Sequence, residues 1–277
     1  MVPPLISTDQ LADALGGAAP PTLLDVRWSL RGPGGVADYE RGHIPDARFV
    51  DLDSELAGAP GAGRHPLPDA ASFQAAMRRH GVSARTPVVV YDAADGLSGA
   101  RAWWTLRYFG HPAVQLLDGG IAAWLGEGRR LTTKVATSTA GDFTASAGHM
   151  PALDAAGAAA LARKGVLLDV RAPERYRGEV EPIDPVAGHI PGARSLPAAG
   201  NVDATGRFLP SAQLAERLAA TGISSGVQTG AYCGSGVNAA QAVLALAVAG
   251  IPAALYVGSW SDWVTDRTRP VAAGAEP

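Results

Sequence analysis

The chain has 277 residues, of which 47% are hydrophobic and 18% charged, enough for two domains of ordinary size, or one large one, with a packed core. A net charge of −3 argues against a dedicated nucleic-acid binder, but leaves small anionic substrates open because these answer to the local field. The single cysteine excludes an intramolecular disulfide and a cysteine-rich zinc site, and a lone thiol suits a reducing compartment, so a cytoplasmic protein is expected.

The N-terminal residues Met1-Val2-Pro3-Pro4-Leu5 lack a basic stretch followed by an apolar core, so no secretory leader is expected. Leu23–Val26 reads as a short buried strand, and Pro87–Tyr91 as another, followed by a helix over Ala100–Tyr108 and a strand over Val114–Leu117. From Leu131 to His149 the chain is rich in Thr, Ser, Ala and Gly and shows no period, as expected of a linker. Leu167–Val170 is the next strand. Gln228–Tyr232 follows, weakened by Gly230, then a helix over Asn238–Ala249 and a strand over Ala254–Val257. The apolar run Gln241–Val257 is broken by Gly250-Ile251-Pro252, which makes helix, turn and buried strand a better reading than a membrane span. The tail Ala272–Pro277 is expected to fray.

The chain repeats itself. Leu23-Leu24-Asp25-Val26-Arg27 recurs unchanged as Leu167–Arg171, and Gly42-His43-Ile44-Pro45 recurs as Gly188–Pro191. Gly110-His111-Pro112-Ala113, leading to Trp124, has a looser echo in Gly250-Ile251-Pro252-Ala253, leading to Trp263. Spacing holds along each half, so two copies of one fold are expected: residues 1–130 and 150–277, joined by 131–149. Buried strands alternating with helices imply an α/β fold in which each copy is a parallel sheet with helices on both faces. Ligands of such sheets sit at the carboxyl ends of the strands.

At one such end stands Cys233-Gly234-Ser235-Gly236-Val237-Asn238, between a strand and a helix. The two glycines permit a tight loop, its amides can point inward as an anion cradle, and the helix adds the positive end of its dipole. All three lower the pKa of a thiol and would hold a persulfide anion. A free cysteine is more often a small buried apolar residue, but a Gly-Ser-Gly loop at a sheet edge is not a core position.

These motifs, together with Gly258-Ser259-Trp260-Ser261-Asp262-Trp263, resemble the tandem-domain rhodanese and mercaptopyruvate sulfurtransferase family over nearly the whole chain. The resemblance implies two rhodanese-like domains and sulfur transfer through a persulfide on Cys233, without a metal or organic cofactor. It implies a small anionic sulfur donor, 3-mercaptopyruvate or thiosulfate, and a cyanide, small-thiol or protein-thiol acceptor, with no nucleic acid and no membrane as partner. The first domain has lost its cysteine: aligning Tyr91 with Tyr232 puts Asp92 opposite Cys233. It would still lend residues to the active site.

In family members acting on mercaptopyruvate, a serine after the cysteine works with a histidine and an aspartate, matched here by Ser235, His65 and Asp53. The pyruvate enolate left by sulfur transfer must gain a proton, which a hydroxyl–imidazole pair supplies. On residues alone, His65 reads better as a loop cap and Asp53 as a solvated charge; the resemblance brings the relay level with that reading. Gly234, Gly236, Val237 and Asn238 complete the implied anion cradle, and Asn238 is expected to cap the helix although the family usually has threonine there. Arg175 matches an arginine that holds the donor's oxyanion. Where a second arginine often follows, this chain has Asp184, which leaves Arg64 or Arg177 to compensate. The neutral Gly234-Ser235 loop resembles the mercaptopyruvate type, whereas Asp184 is awkward for it.

His43 and His189 read as turn hydrogen-bonders, and His80, His111 and His149 have no companions at metal-ligand spacing. Two other classes remain: a cysteine phosphatase, disfavoured because Ala239 stands where its phosphate-gripping arginine belongs, and a non-catalytic binding or sensing module, disfavoured by the intact cysteine loop.

Overall fold

Runs of Val, Leu and Ile too short for helices set the framework. In a computed structural model the chain is described at all residues except Met1, Arg31, Pro33, Gly34, Pro60, Ala62, Ser138 and Ser225. Met1 of the expected first domain and Ser138 of the expected linker therefore lie outside the described residues. Five strands form in the first half: β1 (Leu5–Ile6), β2 (Thr22–Asp25), β3 (Arg48–Phe49), β4 (Val88–Tyr91) and β5 (Val114–Leu117). Five more form in the second: β6 (Ala152–Leu153), β7 (Val166–Asp169), β8 (Arg194–Ser195), β9 (Thr229–Tyr232) and β10 (Ala254–Tyr256). The sheet orders are β1-β5-β4-β2-β3 and β6-β10-β9-β7-β8, every neighbour parallel.

The chain folds into two units. Met1–Gly58, Leu67–Met150 and Val202–Phe208 form the first; Ala59–Pro66, Pro151–Asn201 and Leu209–Pro277 form the second. Within the first unit the stretch after Leu131 pairs at Thr132 with His43 and receives a hydrogen bond from Arg78 Nε at the Phe143 carbonyl.

Each sheet is covered on both faces. In the first unit Leu23, Val89 and Leu117 turn toward Leu11, Ile121 and Trp124 of the helices Thr8–Leu15 and Gly120–Gly126. Leu116 points the other way, under the helix Leu97–Tyr108, where a Cβ on Gly99 would stand 2.4 Å from Leu116 Cδ1. In the second unit Leu167, Tyr232 and Tyr256 pack with Leu161 of the helix Ala155–Lys164 and with Trp260 and Trp263. Gly230, which weakened the strand pattern of β9, is needed there: a Cβ would come within 2.7 Å of Leu161 Cδ2.

The repeated sequences become repeated wiring. Asp25 accepts a two-pronged bond from Arg27 and another from Tyr91 Oη at 2.8 Å, while Arg27 also donates to the Gly42 carbonyl at 2.8 Å. Arg171 grips Asp169 in the same way and reaches the Gly188 carbonyl at 2.5 Å. His43 and His189 bond through Nδ1 to the carbonyls of Tyr39 and Tyr176, and each stacks on that tyrosine at 3.8 Å. Gln241–Val257 resolves into the end of the helix Val237–Val248, a turn and β10; no helix among the described residues is long and apolar enough to cross a membrane.

Candidate active site

Cys233 follows the last residue of β9, at the carboxyl end of a strand flanked by β7 and β10. Its backbone is anchored by the segment after β10. The Cys233 N–H donates to Ser259 Oγ at 3.1 Å, and the carbonyls of Cys233 and Gly234 accept from the N–H groups of Trp260 (3.0 Å) and Ser261 (2.9 Å). Ser259 is buried with φ 55°, a left-handed conformation costly for a residue with a Cβ. Its hydroxyl donates to the Tyr256 carbonyl at 2.8 Å, which helps fix that turn. The sequence marked Ser259 only as part of the Gly258–Trp263 motif; its left-handed turn leaves no trace in composition.

Gly236, with φ 82°, forms the N-terminal cap of the helix Val237–Val248, and its N–H donates to Cys233 Sγ at 3.1 Å. Asn238 was expected to cap this helix. It is instead the second helical residue, half-buried, and no side-chain cap bond is present. A left-handed glycine has already turned the chain inward, so the cap position falls before Val237. Cys233 itself is only 3% exposed and Val237 is buried.

The next side chain in the loop, Ser235, is buried and its Oγ lies 2.8 Å from His65 Nδ1. His65 belongs to Ala59–Pro66, a piece of the first half of the sequence that groups with the second unit. Asp53 is placed in the first unit, exposed, on the short helix Leu52–Glu55, where its carboxylate accepts from Trp28 Nε1 at 3.0 Å.

Two guanidinium groups lie beside Gly234. A Cβ built there would meet Arg64 Nη2 at 2.9 Å and Arg175 Nη1 at 3.6 Å. Arg175, on the helix Pro173–Tyr176, pairs with Glu181 at 2.6 Å and with Asp184 at 3.2 Å; Arg64 pairs with the other oxygen of Asp184. Burial pushes the Glu181 carboxyl up, but the hydrogen bond from Arg175 and the backbone N–H groups of Asp184 and Ile183 outweigh it and hold the group below its ordinary value. Arg177 pairs with the exposed Glu179 instead.

In the first unit the matching loop holds Asp92 after Tyr91, and Tyr91 and Tyr232 occupy the same register opposite Asp25 and Asp169. Gly96, at φ 73°, caps the helix Leu97–Tyr108 as Gly236 caps its counterpart. The cradle there is filled by a carboxylate, which accepts from Gly96 N–H at 3.2 Å and Gly99 N–H at 3.0 Å.

The rhodanese-like domain family matches residues 7–127 and again residues 154–266. The chain belongs to the rhodanese-like domain family. Among its relatives is SseB of Mycobacterium tuberculosis, provisionally named a thiosulfate sulfurtransferase, 46% identical over 98% of this chain and 97% of that one. A Pseudomonas aeruginosa relative, provisionally named a 3-mercaptopyruvate sulfurtransferase, is 45% identical over 98% of each chain. The crystal structure of SseA from Escherichia coli, a 3-mercaptopyruvate enzyme with the rhodanese fold, has a TM-score of 0.83 and 30% identity over 93% of this chain and 99% of that one. Among rhodanese-like relatives of nearly equal identity two different donors are thus named.

Proposed function

We propose that the chain is a sulfurtransferase that carries sulfane sulfur from a small anionic donor, 3-mercaptopyruvate or thiosulfate, to cyanide, a small thiol or a protein thiol as a persulfide of Cys233. The observation that carries this reading is the loop geometry: a backbone N–H 3.1 Å from Cys233 Sγ, with the Ser235–His65 pair in the same loop. The donor names attached to the relatives support the same chemistry.

The Cys233 thiolate attacks the donor's sulfur. With thiosulfate the S–S bond breaks and sulfite leaves with the electron pair. With 3-mercaptopyruvate the C–S bond breaks, the pair stays on carbon as pyruvate enolate, and the persulfide keeps the thiol hydrogen. The enolate then takes a proton through Ser235 Oγ, resupplied by His65. Asp53 is the carboxylate assigned to this relay, and Arg175 holds the donor's oxyanion end. The amides of Gly234, Gly236, Val237 and Asn238 supply the cradle for the persulfide anion. An acceptor nucleophile then removes the outer sulfur and regenerates the thiolate, so ping-pong kinetics follow. In this division of labour residues 150–277 carry the catalytic cysteine, residues 1–130 are scaffold that also lends His65 to the relay, and 131–149 connect them. A working thiol that must stay reduced fits the cytoplasm.

Intact-mass measurement after incubation with either donor tests the reading: Cys233 gains one sulfur atom, and cyanide removes it as thiocyanate. Cys233→Ser gains none and turns over nothing. In the same assay His65→Asn slows mercaptopyruvate about a hundredfold and thiosulfate far less, since only the first leaves a carbanion to be protonated. A wild-type protein that takes up no sulfur would end the proposal.

A further inference from the structure

A row of alternating charges runs through the second unit: Asp169, Arg171, Glu181, Arg175, Asp184, Arg64. Its last carboxylate, on a side chain 3% exposed, joins two guanidiniums. One oxygen of Asp184 takes Arg64 Nη1 and the other takes Arg175 Nη2. The two terminal nitrogens not bound to Asp184, Arg64 Nη2 and Arg175 Nη1, are the ones closest to Gly234, the residue after the nucleophile. Gly234 has no side chain to block the space they flank.

Arg64 is also held from its backbone. Its N–H donates to Ser261 Oγ at 3.1 Å, and the N–H of the same serine donates to the Gly234 carbonyl at 2.9 Å. Ser261 thus gauges the separation of Arg64 from the cysteine loop. The Arg64 Nε is buried and finds no acceptor among the described residues, so this guanidinium is not fully satisfied by the protein.

We infer that Arg64 and Arg175, yoked by Asp184, form a two-pronged clamp over Gly234 for the oxyanion end of the sulfur donor, with Arg64 as a specificity-determining residue. The inference deepens the reading of Cys233 as the sulfur carrier and rests on it for the word donor. A guanidinium with one edge fixed by a carboxylate has already given up its rotamer freedom, so its other edge binds an anion at lower entropic cost. Asp184 therefore orients the two cations; it touches no substrate and is a positioning residue. Because three guanidiniums face three carboxylates along the row, the clamp offers directed hydrogen bonds more than surplus charge.

The test separates the clamp from the chemistry. Pyruvate and sulfite carry the oxyanion ends of the two donors but no transferable sulfur, and calorimetric titration reads their binding whether or not Cys233 accepts sulfur. Arg64→Gln weakens at least one of them by about ten- to a hundredfold, the scale of a lost charge-assisted hydrogen bond. The anion that loses more identifies the donor type. Arg64→Lys recovers part of the affinity, because charge remains and the fork does not. In turnover, Arg64→Gln lowers kcat/KM for the donor by the same factor and leaves kcat/KM for cyanide, which reads the second half-reaction, unchanged. Unaltered binding of both anions, or equal losses in the two half-reactions, would overturn the clamp even if Cys233 takes up sulfur normally.

Discussion

At the scale of single residues the two cradles differ in what they hold. The first unit has replaced a thiol by the Asp92 carboxylate, which accepts two backbone N–H groups inside the protein. Burial, the largest influence, pushes this carboxyl up and the Gly99 N–H pulls it back, leaving its pKa at about 6. An unfolded aspartate titrates near about 4. Between these values the folded chain keeps a proton that the unfolded chain has lost, so this residue's contribution to stability falls as pH rises through the interval and is level above it. The span is on the order of 2–3 kcal/mol. Asp92→Asn cannot ionise. Urea midpoints measured from about pH 4 to pH 7 should therefore fall less steeply with pH in the variant than in the parent, by about one proton's worth of slope. Identical slopes would mean that the carboxylate is ionised throughout.

At the scale of elements the strand–loop–helix unit around each cradle depends on a left-handed glycine. Gly236 at φ 82° turns the chain so that its own N–H meets Cys233 Sγ before the helix begins. Gly236→Ala places a Cβ in that conformation at a cost of roughly 1–2 kcal/mol, and the relaxation carries the N–H away from the sulfur. Slower sulfur uptake by Cys233 in stopped-flow mixing, beside a small drop in the denaturation midpoint, is the expected pair of results. Gly96→Ala should cost more stability, because a Cβ there would also stand 2.9 Å from Phe208 Cε2. The two loop glycines were legible as turn formers, but the helix start was not: Asn238 looked like a cap, and only the φ of Gly236 shows why the helix begins at Val237. Other helix starts carried signals that went unread. Ser7 and Gln10 form a capping box ahead of Thr8–Leu15, and Asp69 and Asp154 cap Ala70–Arg79 and Ala155–Lys164. The edge strands β1, β3, β6 and β8 span two residues each, too few for any period to appear.

Across the whole molecule the duplication was the most legible feature, because a repeated pentapeptide demands a repeated environment. The central strands fell within a residue of where the apolar runs put them; Val26 and Val170, expected as strand ends, still donate to the carbonyls of Tyr91 and Tyr232. What the pentapeptide does was not legible. Its aspartate and arginine meet each other, a tyrosine of the next strand and the Gly-His-Ile-Pro carbonyl, partners distant in sequence. The Asp184 departure was visible, but that it is shared between Arg64 and Arg175 depends on side chains 120 residues apart. The two copies of the wiring are not equally exposed. Arg27 retains 10% of its side-chain exposure, whereas Arg171 retains 1%, stacks on Trp260 at 4.6 Å and also meets Glu181. Removing the carboxylate from either aspartate leaves a guanidinium short of its partner, a loss of about 3–5 kcal/mol when the cation is fully buried. Asp169→Asn should approach that figure and Asp25→Asn should fall below it, since water can reach Arg27. Asp169 also lies opposite Tyr232, the residue before Cys233, so its variant should change the rate at which iodoacetamide alkylates Cys233. Equal losses of stability from the two variants would show that burial does not separate the copies, and an unchanged alkylation rate in Asp169→Asn would show that this wiring does not set the position of the cysteine loop.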